Sequence, residues 1–353
     1  MTITTVPHRL APNVIEHFYR GGERIAALRG HDGPVGPEEW LASTVSRWGS
    51  DDAGLTHLGE AGLLRDLVEA DPDGWLGAAH VARWGSSPAL LVKLLDAGER
   101  LPVHVHPDRS FARRHLDCPF GKTEAWVVLD APAGGGTVFV GARLPVSRAQ
   151  WAELVEAQAT DAMLDLLVPV TVHAGDGVVV PASTPHCIDR DLFVVELQEP
   201  TDFSVLLEWD GFGVDGRVDG HLGLGFDVAL DVVRRDALGA AELDALVRRH
   251  TAGENAPGRA RSPLPPSADP YFRAWAIDAG DAAVTVPASF SVVVVTEGAG
   301  ALQWAGGSAP AERGDAFVVP HAAGPLTITT GVGAIVAQPP APDAPDPIEQ
   351  EAP

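Results

Sequence analysis

Two histidines one residue apart, His104 and His106 in VHVHPD (103–108), point most directly to chemistry in this chain. Side chains alternate along an extended strand, so both imidazoles face one side about 7 Å apart, where a single metal ion bridges them. Glu124 opens a strand-like run in GKTEAW (121–126), and His186 follows a turn after another in VVVPASTPH (178–186). Strands of one β-barrel bring such residues together although they are far apart in sequence. Three neutral imidazoles and one carboxylate suit a borderline divalent ion such as Zn²⁺, Fe²⁺, Mn²⁺, Co²⁺ or Ni²⁺, whereas calcium wants more oxygen. A His-x-His pair alone is as readily a solvated strand face; the Glu124 and His186 phrases tip the reading to metal. The other histidines have no such partners and read as surface or core.

These ligands require a scaffold of short strands, and the composition supplies it. The chain has 353 residues, with 38 Gly and 30 Pro, close to a fifth of the total, which favours short elements joined by turns over a helical bundle. TEAWVVLDA, GTVFVGARL, VPVTVHAG, GVVVPAS and DLFVVELQEP are β-branched runs bounded by Gly, Pro and Asp, and the apolar run in SPALLVKLLDAGE (87–99) reads as a buried strand. SRAQWAELVEAQATDAMLDLL (147–167) interrupts them as a helical insert with Ser147 as N-cap, covering an end of the sheet. A second helical stretch runs from Val228 to His250.

The resulting division is a first β unit with helical inserts over 1–250, a Pro-rich linker or long loop over 251–270, a smaller β unit over 271–338, and an acidic, Pro-rich tail over 339–353 that reads as disordered. In the smaller unit FSVVVVTEG and GALQWA read as separate strands. The phrases GDGVVVP (175–181) and GDAFVVP (314–320) suggest two versions of one fold. His321 follows the second phrase, but no His-x-His precedes it, so the second unit is expected to bind no metal.

Asp and Glu number 48 against 25 Lys and Arg, a net charge of −23 that repels a polyanion, so a nucleic-acid role is excluded as an expectation. No run approaches the ~18 apolar residues of a membrane span, and the start lacks a secretory pattern, so the expectation is a cytoplasmic protein with no membrane partner. Cys118 and Cys187 form neither a disulfide framework nor a paired-cysteine metal motif. EGAGALQ (297–303) lacks the third glycine of a dinucleotide fingerprint, and no P-loop or nucleophile elbow occurs.

In this order, the His-x-His strand, the Glu, and Gly175, Pro181, Ser183 and His186 resemble the cupin superfamily. More narrowly, GLTHLGEAGLLRDLVEADPDGWLG (54–77), LLVKLLDAGERLPVHVHPD, FGKTEAWVVLDA, VVVPASTPH, VVELQEPTD and HLGLGFDVALDVV resemble the class I mannose-6-phosphate isomerases. The resemblance implies a mainly β fold of two cupin-type jelly-roll barrels with helical insertions, the first binding metal and the second degenerate. It implies a zinc enzyme interconverting a small-molecule aldose phosphate and ketose phosphate by proton transfer between adjacent carbons, and carries metal ligation to His106, Glu124 and His186. His104 stands where the family usually has Gln, a change that shifts metal preference toward Fe, Mn, Co or Ni. Lys122 matches the family's active-site lysine, and Lys93 the lysine of its LxKxLDA strand; both are expected to touch substrate. Asp202 and Glu196 are candidate bases. One position departs: in TDFSVL, Leu206 replaces the arginine that the family assigns to catalysis and phosphate handling, and a leucine offers a phosphate no donor. Arg190, four residues past His186, is the expected substitute for both roles. The alternatives are an isomerase of a non-phosphorylated sugar, a non-catalytic sugar-binding or regulatory cupin, and, since three His and a Glu also suit iron, a dioxygenase.

Overall fold

β-branched runs punctuated by Gly, Pro and Asp pair locally and antiparallel, and the chain builds three sheets from them. The computed structural model describes residues 3–30, 36–251 and 260–347. In the first unit a seven-stranded sheet has the spatial order Val247–Arg248, Gly177–Val180, Glu124–Asp130, Phe193–Gln198, Leu91–Asp96, Glu38–Leu41 and Val14–Ile15. A five-stranded sheet has the order Val205–Leu206, His104–Val105, His186–Ile188, Gly136–Ala142 and Leu167–Val172. The third sheet, eight-stranded, takes seven strands from the second unit and His8–Arg9 from the first, and no sheet closes on itself among the described residues.

The helical insert is two helices, Arg148–Ala157 and Thr160–Leu166. Ser147 caps the first, accepting from the Gln150 N–H while Gln150 reaches back to the Ser147 N–H; Gln158, at φ +47°, ends it. Trp151, Val155 and Met163 then pack in one apolar cluster with Val103, Val105, Val205 and Leu207 of the five-stranded sheet and its flanks. The stretch from Val228 to His250 is not one helix. It breaks after Val232, where Val233 turns extended, resumes over Ala240–Leu246, and ends as a strand because Val247 and Arg248 pair with Val178 and Gly177.

The second unit corrects three further expectations. Its two central strands are one, Ser291–Trp304, bent by a bulge between Val295 and Glu297 and by Gly298 at φ +72°. Of the linker, 252–259 lie outside the described residues, but the remainder is packed: Arg261 bridges to Ala276, and Leu264 and Ala268 are buried. The tail is held at least as far as 347, with Arg83 donating to the carbonyls of Pro342 and Ala344 and Arg109 lying 3.8 Å from Asp346; residues 348–353 lie outside the described ones.

The units are joined. His8 and Arg9 pair with Val318 and Phe317 of the second unit. One apolar core contains Val92, Leu94, Val127, Val195 and Leu197 of the seven-stranded sheet together with Phe272, Phe290, Val292 and Ile335. By strand alternation, Glu38, Trp40, Lys93, Glu196 and Glu124 stand on the sheet's opposite face from Val92, Leu94, Val127, Val195 and Leu197. No helix among the described residues is long and apolar enough to cross a membrane.

Candidate metal centre

Register brings the histidines together. His186 sits directly opposite His104 across the antiparallel pair, and His106 leaves the same strand end. The rings of His104 and His186 lie 4.2 Å apart, and that of His106 4.9 Å from each. One nitrogen from each of the three lies within 4.8 Å of the others, in full burial. Glu124 arrives from the facing sheet, its two oxygens 2.9 Å from His106 Nε2 and 3.2 Å from His186 Nε2.

Backbone carbonyls fix the tautomers. His104 Nδ1 donates to Pro102 O at 2.8 Å, His106 Nδ1 to Phe203 O at 2.8 Å, and His186 Nδ1 to Thr184 O at 2.7 Å. A carbonyl only accepts, so the proton sits on Nδ1 and each Nε2 keeps its lone pair, the arrangement of metal-ligating histidines. Burial pushes the His104 and His106 pKa values down, with neighbouring His186 and Lys122 adding to it, and His106 falls to about 3. Burial raises the Glu124 pKa, but Lys122 and His106 outweigh it and hold the carboxyl well below its usual range. The three Nε2 atoms and the Glu124 carboxylate therefore face one another as acceptors, as a divalent ion requires. The His186 Nε2 has no hydrogen-bond partner among the described residues. Three imidazoles and a carboxylate fit the borderline ions expected from sequence.

Beside the ligands, one row crosses the seven-stranded sheet: Trp40 opposite Lys93, Lys93 opposite Glu196, Glu196 opposite Trp126. Lys93 Nζ lies 3.2 Å from Glu38, 3.9 Å from Glu196 and 3.7 Å from Asp202, and 4.6 Å from the Trp40 ring centre. Lys122 Nζ touches His106 Nε2 at 2.9 Å and Glu124 at 3.0 Å, and lies 3.9 Å from Glu196. Burial first, and then the Glu124 charge, push the Glu196 pKa up to about 8, and its Oε1 has no hydrogen-bond partner among the described residues. Asp202 is engaged on both oxygens, one accepting the Trp48 N–H at 3.0 Å and the other facing Lys93. Glu38, Lys93, Lys122, Glu196 and Asp202 line one cavity of about 840 Å³, which His104 and Glu124 also reach while His106 and His186 lie behind its wall.

Arg190 is a correction. It is exposed and does not line the cavity; its backbone N–H is capped by Asp189 in the turn that returns the chain to Phe193–Gln198. Residues that the sequence reading did not single out stand there instead. Glu38 accepts from Tyr19 and from Trp40 Nε1 and pairs with Lys93, while His17 and Arg47 line the wall. The period-two Glu-x-Trp of EEWLAST was the available signal for Glu38; Arg47 lies in an irregular segment without one.

No family model matches the chain. It is 34% identical over 188 residues to a mannose-6-phosphate isomerase from Streptococcus mutans, covering 52% of this chain and 54% of that protein, and 26% identical over 240 residues to mannose-6-phosphate isomerase ManA from Bacillus subtilis, covering 67% and 70%. The matched stretch thus spans about half the length of the Streptococcus protein. The fold matches the mannose 6-phosphate isomerase structure from Bacillus subtilis with TM-score 0.69 at 22% identity, over 94% of this chain and 99% of that one. It also matches a single-site variant of phosphomannose isomerase from Salmonella typhimurium with TM-score 0.71 at 15% identity, over 95% and 100%. In sequence and in fold the chain is thus similar to mannose-6-phosphate isomerases. The position in which the family resemblance expects an arginine, Leu206, lines the cavity wall.

Proposed function

We propose that this chain is a metal-dependent aldose–ketose isomerase that interconverts mannose 6-phosphate and fructose 6-phosphate. The observation carrying the reading is the convergence of three Nε2 lone pairs and a carboxylate beside a buried Lys93–Glu196 row, in a cavity large enough for a hexose phosphate. His104, His106, Glu124 and His186 would hold the ion, with zinc the first expectation. A bound divalent ion supplies Lewis-acid polarisation of the sugar carbonyl and its neighbouring oxygen. Glu196 moves the proton between the adjacent carbons: it lines the cavity, has an unpartnered oxygen, and is held near neutrality between its two protonation states. Lys122 places positive charge where the carbonyl oxygen gains electron density. Lys93 fixes Glu196 and binds no phosphate while three carboxylates surround it. Asp202, with both oxygens engaged, positions the 47–49 segment rather than taking a proton.

One observation favours a second reading, an isomerase of a non-phosphorylated sugar. Glu38, Glu124, Glu196, Asp202, Asp215 and Asp219 line the cavity against three cations, Arg47, Lys93 and Lys122. The test is turnover of mannose 6-phosphate and of free mannose by metal-reconstituted wild type beside Glu124→Ala. Turnover of the phosphate ester, lost in the variant, is expected; turnover of mannose alone would establish the second reading, and of neither would overturn both.

A further inference from the structure

We propose that Arg47 binds the phosphate of the sugar, in place of the arginine that Leu206 replaces, an assignment that rests on the isomerase reading above. Of the three cations on the cavity wall, Lys93 is surrounded by Glu38, Glu196 and Asp202, and Lys122 is bound to Glu124 and His106. Both are committed at the reacting end. Arg47 has no carboxylate within ion-pair distance among the described residues: Nη1 donates to the Glu16 carbonyl at 3.1 Å. A guanidinium carries five N–H donors in a planar fork, so most of them remain for an anion, and that fork matches phosphate oxygens in pairs.

The segment holding Arg47 is fixed in advance. The Arg47 N–H donates to Ala53 O at 2.7 Å, its carbonyl accepts from the Ser50 N–H at 3.0 Å, and the Trp48 N–H is tied to Asp202 at 3.0 Å. Asp202 therefore couples the segment to the Lys93 row, so the anchor is registered against the acid–base groups. Trp48 stacks edge-on against Phe203 with ring centres 5.3 Å apart, and Phe203 supplies the carbonyl that orients His106. A 6-phosphate hangs several carbons from the reacting pair, so its anchor belongs on a wall remote from the ligand set. Arg47 hydrogen-bonds to Glu16, Ser50 and Ala53, none of them one of the four ligand candidates. His17 lines the same cavity, with a buried Nδ1 that has no hydrogen-bond partner among the described residues.

Calorimetric titration of metal-loaded wild type, Arg47→Lys and Arg47→Leu with fructose 6-phosphate and with fructose tests the assignment, alongside steady-state kinetics on mannose 6-phosphate. Loss of charge-assisted hydrogen bonds predicts fructose 6-phosphate binding weakened about tenfold or more in Arg47→Leu, partly restored in Arg47→Lys, with fructose binding unchanged. KM for mannose 6-phosphate rises with it, while kcat stays within about threefold, since uniform binding is what is removed. Equal binding of fructose 6-phosphate by wild type and Arg47→Leu, or its equal loss with fructose, overturns the assignment. Binding that depends on Arg47 without any turnover keeps Arg47 as the phosphate anchor and sinks the isomerase reading alone.

Discussion

The phrase Gly-Asp-x-x-Val-Val-Pro occurs once in each β unit, and the main chain folds it alike both times. Gly175 and Gly314 take φ +89° and +96°, a region open to glycine at no steric cost. Gly175 donates to Val128 O at 2.8 Å and Gly314 to Val295 O at 2.9 Å. The Asp176 carboxylate accepts the His173 N–H at 3.0 Å, and that of Asp315 the Glu312 N–H at 2.8 Å. The strands that follow also match: Val180 pairs with Glu124 in one unit and Val319 with Ser291 in the other. Ser291 thus holds the place of the ligand carboxylate, and it donates to Ser289 O and accepts from Gln338 instead. After Pro181 the chain spends residues 182–185 reaching His186, whereas His321 follows Pro320 directly and lies against Gly77, where a Cβ would come within 2.7 Å of its ring. The turn that builds the sheet is retained in both units, and among the described residues the three-histidine cluster stands in the first. Scaffold and chemistry are separable layers of the same motif.

That separation makes the effects of perturbation unequal. Chelation of a metal-loaded preparation is expected to cut isomerisation by roughly a thousandfold or more, because Lewis-acid stabilisation is worth several kcal/mol, and readdition of the ion restores it. A chelated protein with undiminished turnover would end the comparison, since the first unit would then owe its activity to something other than the ligand set. Next in size, Lys93→Met leaves Glu38, Glu196 and Asp202 without their shared cation and should cost roughly 3–5 kcal/mol in urea unfolding. A cost below about 1 kcal/mol would show that the row is solvated.

Smaller effects sharpen the likeness of the units. Asp176→Ala and Asp315→Ala each orphan a main-chain N–H and release an arginine, Arg249 and Arg9, and are expected to cost about 1–3 kcal/mol, Asp176 the more because it also accepts from the His250 N–H. A neutral Asp315→Ala would mean that the second turn is held by other means. The smallest effect concerns pH. Burial lowers the His80 pKa from the ordinary 6.5 to about 4. As pH falls below about 6.5 the unfolded chain takes up that proton first, so stability declines between about pH 6.5 and pH 4 and levels off below. His80→Gln should remove that slope from unfolding free energies measured across the range.

The three-histidine cluster was legible because strand alternation and a turn encode it locally: His104 and His106 share a face, and Pro-x-x-x-x-His returns His186 to meet them. Arg190 misled because nearness in sequence to His186 was read as nearness in space. Four residues of extended chain travel about 13 Å, which carries Arg190 past the cavity to the turn before Phe193. Arg47 was invisible for the opposite reason, lying far from every ligand in sequence within an irregular segment that has no period to reveal its face. Gly298 and Gly300 signal a break in sequence that would divide Ser291–Trp304 in two, while the ladder to Val332–Gln338 carries the chain as far as Gly298 and that to Gly307–Glu312 carries it onward from Ala299. Helix Arg148–Ala157 was predicted from Ser147 and its apolar spacing, since capping and periodicity are both local.

The most direct test is metal stoichiometry by elemental analysis on wild type, His186→Ala and His321→Ala, purified with zinc present throughout and assayed on mannose 6-phosphate. One ion per chain in wild type and His321→Ala, and none with turnover lost in His186→Ala, is the predicted result. An ion retained in His186→Ala, or lost in His321→Ala with the fold intact, would contradict the assignment of the metal to the first unit.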